Sequence, residues 1–407
     1  MEYERWQKTG LHRGLAYRRG VIISGARQVG KTTLSKQALS ANAVFRSLDD
    51  VTLLAAAKED PSGFLRRQGK TMVIDEIQKA LPLIPEIKKV VDEDNSPGQY
   101  VLTGSANVQT LPAVHESLAG RVRHIRLRPL TEGELLGRPP CFLQRAFTQD
   151  FQLEYDACSK DTLLERSLRG GYPEAVRLPV TERKEWHMDY ANTLLTHDLR
   201  DIAHVRRFSK LEMLLQAMAA WSGKYMNVDE ICTVCGLNRD TMQTYFGLLE
   251  QLFLCERVPA WTKSDYGRTG KRDKLYMSDT GLMASLLHWN HDNVALDPDR
   301  SGKLIESFVF TELAAQVGLS SQYAIYQYRD RDKHEIDFII EDEESGCLLC
   351  IEVKGGSQVS REDFRHIRWF TEKMAKPVVG IVFYSGKAAV QFAPNQWAIP
   401  SAALWGK

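Results

Sequence analysis

One eight-residue string limits the folds open to this chain more than any other: GARQVGKT, Gly25 to Thr32. It lies between the β-prone VIISG (21–25) and the helix-prone TTLSKQAL (32–39). The string fits G-x-x-x-x-G-K-[ST] without departure, in the strand–loop–helix context that the pattern demands. The glycines let the backbone wrap closely, so the N–H groups from Gly25, Ala26, Arg27, Gln28, Val29 and Gly30 through Thr33 can face an anion at a helix N-terminus. Lys31 then reaches the β- and γ-phosphates of a nucleotide, and the Thr32 hydroxyl holds Mg²⁺. ATP and Mg²⁺ are therefore the expected ligands.

The rest of the first 130 residues agrees with an α/β domain. TMVIDE (71–76) and QYVLTGSA (99–106) read as further strands with helical stretches between them, which predicts a parallel sheet with crossover helices. TMVIDE ends in Asp75-Glu76, where a carboxylate at a strand's C-terminal edge meets the phosphate loop. Asp75 is placed to bind magnesium and Glu76 to polarise the attacking water. The third strand ends in Thr103-Gly104-Ser105, and Ser105 is a candidate γ-phosphate sensor, ordinary turn chemistry being the competing reading.

At these residues the chain resembles AAA+ ATPases. ESLAGRV (116–122), GGYPEAV (170–176), KLYMSDTGL (274–282) and HEIDFII (334–340) make it similar to a bacterial and archaeal family of uncharacterised AAA+ proteins with a C-terminal domain of unknown function. The resemblance implies a helical lid after the sheet. It also implies an arginine acting on a neighbour's nucleotide, best matched by Arg121, with Arg123, Arg126 and Arg128 close by. A Gly-x-Pro touching the nucleotide is matched by Gly171 and Pro173, where a helix-breaking turn is the alternative. Rings, commonly hexamers, are the assembly it implies.

Residues 228–251 form a helix-turn-helix pattern, with Gly236 in the turn, Asn238 as N-cap, and Val228, Ile231, Leu237, Met242, Tyr245, Leu248 and Leu249 as its core. Arg239 is the lone basic residue of the second helix, which is poor for a duplex reader. TKSDYGRTGKRDK (262–274) reads as a basic wing able to touch phosphates or as a solvated hairpin tip.

Near the C-terminus, Glu306 falls in a helical stretch, Asp337 in HEIDFII, and Glu352 and Lys354 at the end of LLCIEVK, sharing one strand face. This order of helical Glu, strand Asp and Glu-x-Lys resembles the PD-(D/E)xK nucleases, archaeal Holliday-junction resolvases among them. By that resemblance Asp337 and Glu352 bind Mg²⁺ or Mn²⁺ with Glu306 assisting, and Lys354 orients or deprotonates water. The competing reading is an ion-paired relic in which Lys354 neutralises Glu352. The acidic run Glu341 to Glu344 reads as a solvated turn.

The fold expectation is thus α/β throughout. A P-loop parallel-sheet domain (1–130) precedes a helical lid (131–220), a winged-helix domain (221–300) and an α/β nuclease-like domain (301–407). With 53 basic against 52 acidic residues, no global field draws the chain to nucleic acid. Seven cysteines, an odd number, read as reduced thiols. No run of eighteen apolar residues and no leader-like N-terminus are visible, so a cytoplasmic protein without a membrane partner is expected. Two functions fit. One is an ATPase coupled to metal-dependent cleavage of DNA, branched DNA by analogy. The other is a nucleotide-dependent switch whose C-terminal domain binds a partner without cutting.

Overall fold

Five short apolar runs assemble into an all-parallel sheet of order β2-β3-β4-β1-β5. They are β1 (Gly20–Ser24), β2 (Ala43–Ser47), β3 (Thr71–Asp75), β4 (Tyr100–Gly104) and β5 (Val122–Arg126). β1 and β4 are buried at every position, as strands covered by helices on both faces must be. The helix Leu83–Glu93 shows why the cover forms. Its Leu83, Ile84, Ile87 and Val91 recur at helical spacing, and they join Ile22, Ile74 and Leu102 in one core. The computed structural model describes residues 3–39, 43–66, 69–105, 117–198, 208–263, 267 and 271–406, the side chains of 197 and 198 excepted. The chain divides into two compact units, Met1–Pro129 with Gln251–Phe253, and Leu130–Glu250 with Leu254–Lys407. The sheet belongs to the first. The three later segments of the expected organisation lie in the second, apart from Gln251–Phe253.

The second unit begins with helices at Glu132–Leu135, Phe142–Thr148, Lys160–Arg169, Val180–Thr193 and Phe208–Trp221. The helices Val228–Cys235 and Arg239–Gln251 follow. Gly236 takes the left-handed conformation (φ 58°) that closes the first of these, and Asn238 Oδ1 accepts from Thr241 N (2.8 Å) at the start of the second. Ile231, Met242, Tyr245, Leu248 and Leu249 are buried, whereas Val228 and Leu237 are half-buried. A three-stranded antiparallel sheet of order β6-β8-β7 adjoins them, built from β6 (Lys224–Tyr225), β7 (Cys255–Val258) and β8 (Lys274–Met277). Of the expected basic wing, residues 264–266 and 268–270 lie outside the described residues.

A 20-residue helix, Pro298–Val317, opens the C-terminal part, capped by Asp297 through Asp299 N and Arg300 N. It packs on a six-stranded mixed sheet of order β13-β14-β12-β11-β10-β9. The strands are β9 (Tyr323–Arg329), β10 (Glu335–Asp342), β11 (Leu348–Val353), β12 (Val378–Tyr384), β13 (Val390–Ala393) and β14 (Gln396–Pro400). Phe338 and Ile340 face the long helix. Ile336 and Ile339 face Phe364, Ile367 and Phe370 on the other side. Strict alternation would not place 336 and 339 together. A bulge between them, bracketing Asp337, explains it. The acidic run differs from expectation. Asp342 is buried and accepts from Ser345 Oγ (2.7 Å) and Gln322 Nε2 (3.2 Å), and Glu341 accepts from Trp261 Nε1 (3.1 Å). Only Glu343 and Glu344 behave as a solvated turn.

All seven cysteines are free, with Cys235 and Cys350 buried as core thiols. Among the described residues no helix is long and apolar enough to cross a membrane.

Candidate functional site

The phosphate loop leaves β1 and enters the helix Lys31–Leu39. Gly25 has to be glycine because a Cβ there would meet Leu127 O at 2.2 Å. Gly30 (φ 96°) and Gln28 (φ 61°) sit in the left-handed region that turns the loop. Arg5 Nη1 donates to Val29 O (2.6 Å) and its Nη2 to Arg128 O (2.6 Å), bracing the loop from the N-terminal segment. Sequence reading did not find this brace. The Lys31 ammonium is buried and donates to Gly25 O (3.0 Å) and Ala26 O (2.9 Å), so it is held over the loop. Ala26, Arg27 and Val29 complete the loop, and Thr33 lies in the first turn of the helix.

Thr32 Oγ1 donates to the Asp75 carboxylate at 3.0 and 2.9 Å, joining two residues 43 positions apart. Thr103 Oγ1 donates to Asp75 as well and accepts from Glu76 N (3.3 Å). Glu76 itself is in the left-handed conformation (φ 58°), a costly state for a non-glycine residue that marks a position held by its surroundings. Its Oε2 accepts from Ser105 Oγ (2.9 Å) and from the Gln78 amide, which also donates to Ser105 Oγ (3.0 Å). The expected residues Thr32, Asp75, Glu76 and Ser105 are therefore brought together. Gln78 is an additional member, signalled in sequence only by its place two residues after Glu76. The donor set fits a magnesium nucleotide, with hard oxygens from Thr32 and Asp75, a cation at Lys31, and a second carboxylate set apart at Glu76.

Arg121 is elsewhere in the first unit. Its Nε and Nη2 clasp Asp92 (2.5 and 2.9 Å), and its Nη1 donates to Ala119 O (3.2 Å). This hydrogen-bonded arginine holds Asp92 below the usual carboxylate range. Gly171 and Pro173 lie in the second unit. Gly171 donates its N–H to Asp279 Oδ2 (2.7 Å), its carbonyl accepts from Leu130 N (2.7 Å), and a Cβ would meet Leu130 O at 2.0 Å. Both backbone groups of Gly171 are engaged within that unit.

The C-terminal carboxylates also gather. Asp337 Oδ2 accepts from Val353 N (2.9 Å), which sets it beside Glu352, and Lys354 Nζ stands 3.8 Å from Glu352 Oε2. Glu352 is buried, and its Oε1 has no hydrogen-bond partner. Burial first, then the Asp337 charge, raises its carboxyl far above the usual range. Glu306 Oε1 accepts from Tyr276 Oη (2.6 Å), and burial pushes its carboxyl up to about 7 against the pull of Lys274. Lys274 corrects the sequence reading. It was expected on a solvent-facing wing, but its side chain is 2% exposed and lies within 2.8 Å of Glu306, 3.2 Å of Glu335 and 3.4 Å of Asp337. Burial opposes its charge. Glu306, Tyr276, Asp337 and Glu335 keep it protonated. The signal available in sequence was KLYM, a strand apolar at successive positions and so buried on both faces, lysine included. Among the described residues, the group of acidic and histidine side chains whose ligand atoms converge within 4.8 Å is Asp330, Asp332 and His334, not Glu306, Asp337 and Glu352.

Residues 17–136 match the family model described as an AAA domain. Residues 160–293 and 301–404 match two models described as domains of unknown function, DUF8612 and DUF4143. The uncharacterised protein Rv2008c of Mycobacterium tuberculosis (strain H37Rv) is 27% identical over 337 residues, covering 81% of this chain and 69% of its own length. The uncharacterised Mb2031c of Mycobacterium bovis matches equally. Among solved structures, the Walker-type ATPase PABY2304 of Pyrococcus abyssi aligns at 13% identity and a TM-score of 0.44, over 69% of this chain and 94% of that one. The RuvB Holliday junction branch migration motor of Thermotoga maritima aligns at 19% identity and a TM-score of 0.27, over 62% and 86%. The chain thus carries an AAA-type P-loop ATPase domain followed by C-terminal regions of uncharacterised function.

Proposed function

We propose that this protein is a Mg²⁺-dependent ATP hydrolase whose nucleotide state governs what its second unit engages, with DNA as the partner. The Thr32–Asp75 contact carries the reading, since it sets a hydroxyl and a carboxylate side by side next to a buried loop lysine. Bound magnesium would neutralise phosphate charge and be held through Thr32 and Asp75. Lys31 is already over the loop and needs only to exchange two carbonyl oxygens for phosphate oxygens. Glu76, aimed by Ser105 and Gln78, would take the proton of an attacking water. Ser105 would report on the γ-phosphate through the same contact.

The helix-turn-helix with its three-stranded sheet supports a winged-helix module as the DNA-facing part. A homo-oligomeric ring is the assembly the AAA-type domain favours. There Arg121 would serve a neighbour's nucleotide after leaving Asp92, and Gly171 and Pro173 would act as lid contacts. Lys274 inside the carboxylate cluster favours engagement of the partner without cleavage. The second reading, metal-dependent DNA cleavage through Asp337, Glu352, Glu306 and Lys354, is favoured by the approach of Asp337 to Glu352 through Val353 N.

Phosphate release from ATP is the first test, with Lys31→Ala and Glu76→Gln alongside, together with incubation of duplex, single-stranded and four-way-junction DNA in Mg²⁺ or Mn²⁺. Hydrolysis lost in both variants, with DNA retained intact, is the expected result. Wild-type hydrolysis in Glu76→Gln would overturn its assignment. Cleavage lost in Lys354→Ala would establish the second reading.

A further inference from the structure

The carboxylate cluster at one end of strands β10 and β11 contains more negative charge than its sequence motif accounts for. Glu306 enters from the long helix, Glu335 and Asp337 from β10, and Glu352 from β11. Four carboxylates so close require cations, because burying unpaired charge is costly. Lys354 approaches only Glu352, from a side chain that is 40% exposed. The balancing charge in the interior is Lys274, delivered by β8 from outside the C-terminal sheet.

Its stereochemistry is that of a completed site. An ammonium offers three donors and no acceptor. The Lys274 Nζ has three carboxylate oxygens around it, Glu306 Oε1 at 2.8 Å, Glu335 Oε1 at 3.2 Å and Asp337 Oδ1 at 3.4 Å. The Tyr225 ring lies 5.7 Å from the same nitrogen, and Tyr276, stacked on Phe310 at 4.2 Å, fixes Glu306 from behind. Mg²⁺ needs oxygens at about 2.0–2.1 Å in near-octahedral array. It cannot share these oxygens with an ammonium already among them. Two of the three residues that the nuclease-like pattern assigns to a metal are thus ligated by a lysine.

We infer that Lys274 is the resident cation of this cluster, standing where the motif would place a divalent metal, so that the second unit carries a lysine-neutralised carboxylate site and does not take up Mg²⁺ or Mn²⁺ there. This deepens the non-cleaving reading proposed above and rests on it. The residues do not fit a divalent ion while Lys274 is in place. Glu352, whose Oε1 is buried without a hydrogen-bond partner, is the one carboxylate of the four that makes no ion pair with the lysine.

The test uses the full chain without nucleotide. Amine acylation of the native protein with and without Mn²⁺, read by peptide mass, should leave Lys274 unlabelled across the titration while exposed lysines such as Lys58 react. Labelling of Lys274 that rises saturably with Mn²⁺ would show displacement and overturn the inference. In parallel, Lys274→Met should melt at a lower temperature than wild type and regain part of the loss in Mn²⁺, with the regain abolished in Lys274→Met/Asp337→Asn. Wild type should show no Mn²⁺-dependent rise beyond that of the Asp337→Asn single variant. A rise in wild type lost in that variant would refute the inference, and the labelling result stands even if Lys274→Met does not fold. DNA cleavage by wild type would instead sink the reading on which the inference rests.

Discussion

Gly171→Ala separates a packing role from a nucleotide role for the GGYPEAV motif. The φ of Gly171 is not in the left-handed region, so the cost of a methyl is one of contact alone. A Cβ would sit 2.0 Å from Leu130 O, 2.9 Å from its N and 3.0 Å from its C. All three are backbone atoms, so nothing flexible can give way. The two chain segments must part by more than an ångström. That strains the Leu130 N–H to Gly171 O bond (2.7 Å) and the Gly171 N–H to Asp279 bond (2.7 Å). Overpacking costs about 1–3 kcal/mol, and loss of a hydrogen bond to a charged group about 1.5–3 kcal/mol, so the expected destabilisation is roughly 2.5–6 kcal/mol. Urea denaturation followed by intrinsic fluorescence should show the unfolding midpoint of the second unit moved far down. Gly302→Ala is the control. It lies in the long helix with nothing within 4 Å of a Cβ, and it should gain about 0.5–1 kcal/mol. If Gly171→Ala unfolds like wild type but binds a fluorescent ATP analogue more weakly, the packing argument is wrong and the lid contact is right.

The other predictions concern single groups. Lys31→Ala should lower ATP affinity at least tenfold, measured by calorimetry, because the loop's buried cation is lost. Glu76→Gln should bind ATP as wild type does but release phosphate about 10²–10⁴-fold more slowly, the usual worth of a general base. Asp279 is pushed up to about 6 from its ordinary 3.8, chiefly by burial, with the N–H groups of Leu282, Gly171 and Gly281 working the other way. The folded protein therefore holds this proton more tightly than the unfolded chain between about pH 4 and 6, and stability falls as pH rises through that window. The difference amounts to about 3 kcal/mol, and the denaturation midpoint of Asp279→Asn should lack that part of the wild-type slope. Asp92→Ala frees Arg121 from its clasp, and if that arginine serves a neighbouring subunit, specific ATPase activity should rise with protein concentration more steeply than in wild type, whereas Arg121→Ala should abolish the dependence.

What the sequence made legible follows the range of the interactions involved. The phosphate loop, β1, β3, β4, the Asp75-Glu76 pair and the helix-turn-helix are local patterns, each decided within two dozen consecutive residues or fewer. β2 and β5 escaped because AVFRS and VRHIR are short and carry charge. As flanking strands of a five-stranded sheet they are only partly covered, so their sequences lack the continuous apolar signature of β1. The hairpin of β13 and β14 escaped for a like reason, since VQFA is half exposed. Lys274 was misplaced because a lysine after glycines and arginines reads as solvated, and its burial depends on acids 32, 61 and 63 residues further on. Arg121 was placed in the right unit, but its Asp92 partner, 29 residues earlier, could not be read from spacing.

The KLYMSDTGL string shows how a family-like motif acquires its composition. Its first residue carries the ammonium that balances Glu306, Glu335 and Asp337, and its third is the hydroxyl that fixes Glu306. Its sixth, Asp279, caps the helix Thr280–Leu286 through Leu282 N and takes the Gly171 N–H. Its eighth, Gly281, has to be small, since a Cβ there would lie 2.6 Å from Arg169 O. One strand, one turn and the start of one helix therefore bind the carboxylate cluster to the glycine pair that ends the helix Lys160–Arg169. The string has a polar task at each end, and Leu275, Tyr276, Met277 and Ser278 between them are all buried. A displacement of Gly171 must pull on Asp279, and through four buried residues it reaches Lys274. Any nucleotide-dependent movement of the GGYPEAV turn would therefore be felt first at the cation of the C-terminal cluster. If the second unit engages its partner without cleavage, as proposed, this string is a route by which nucleotide state would reach that site.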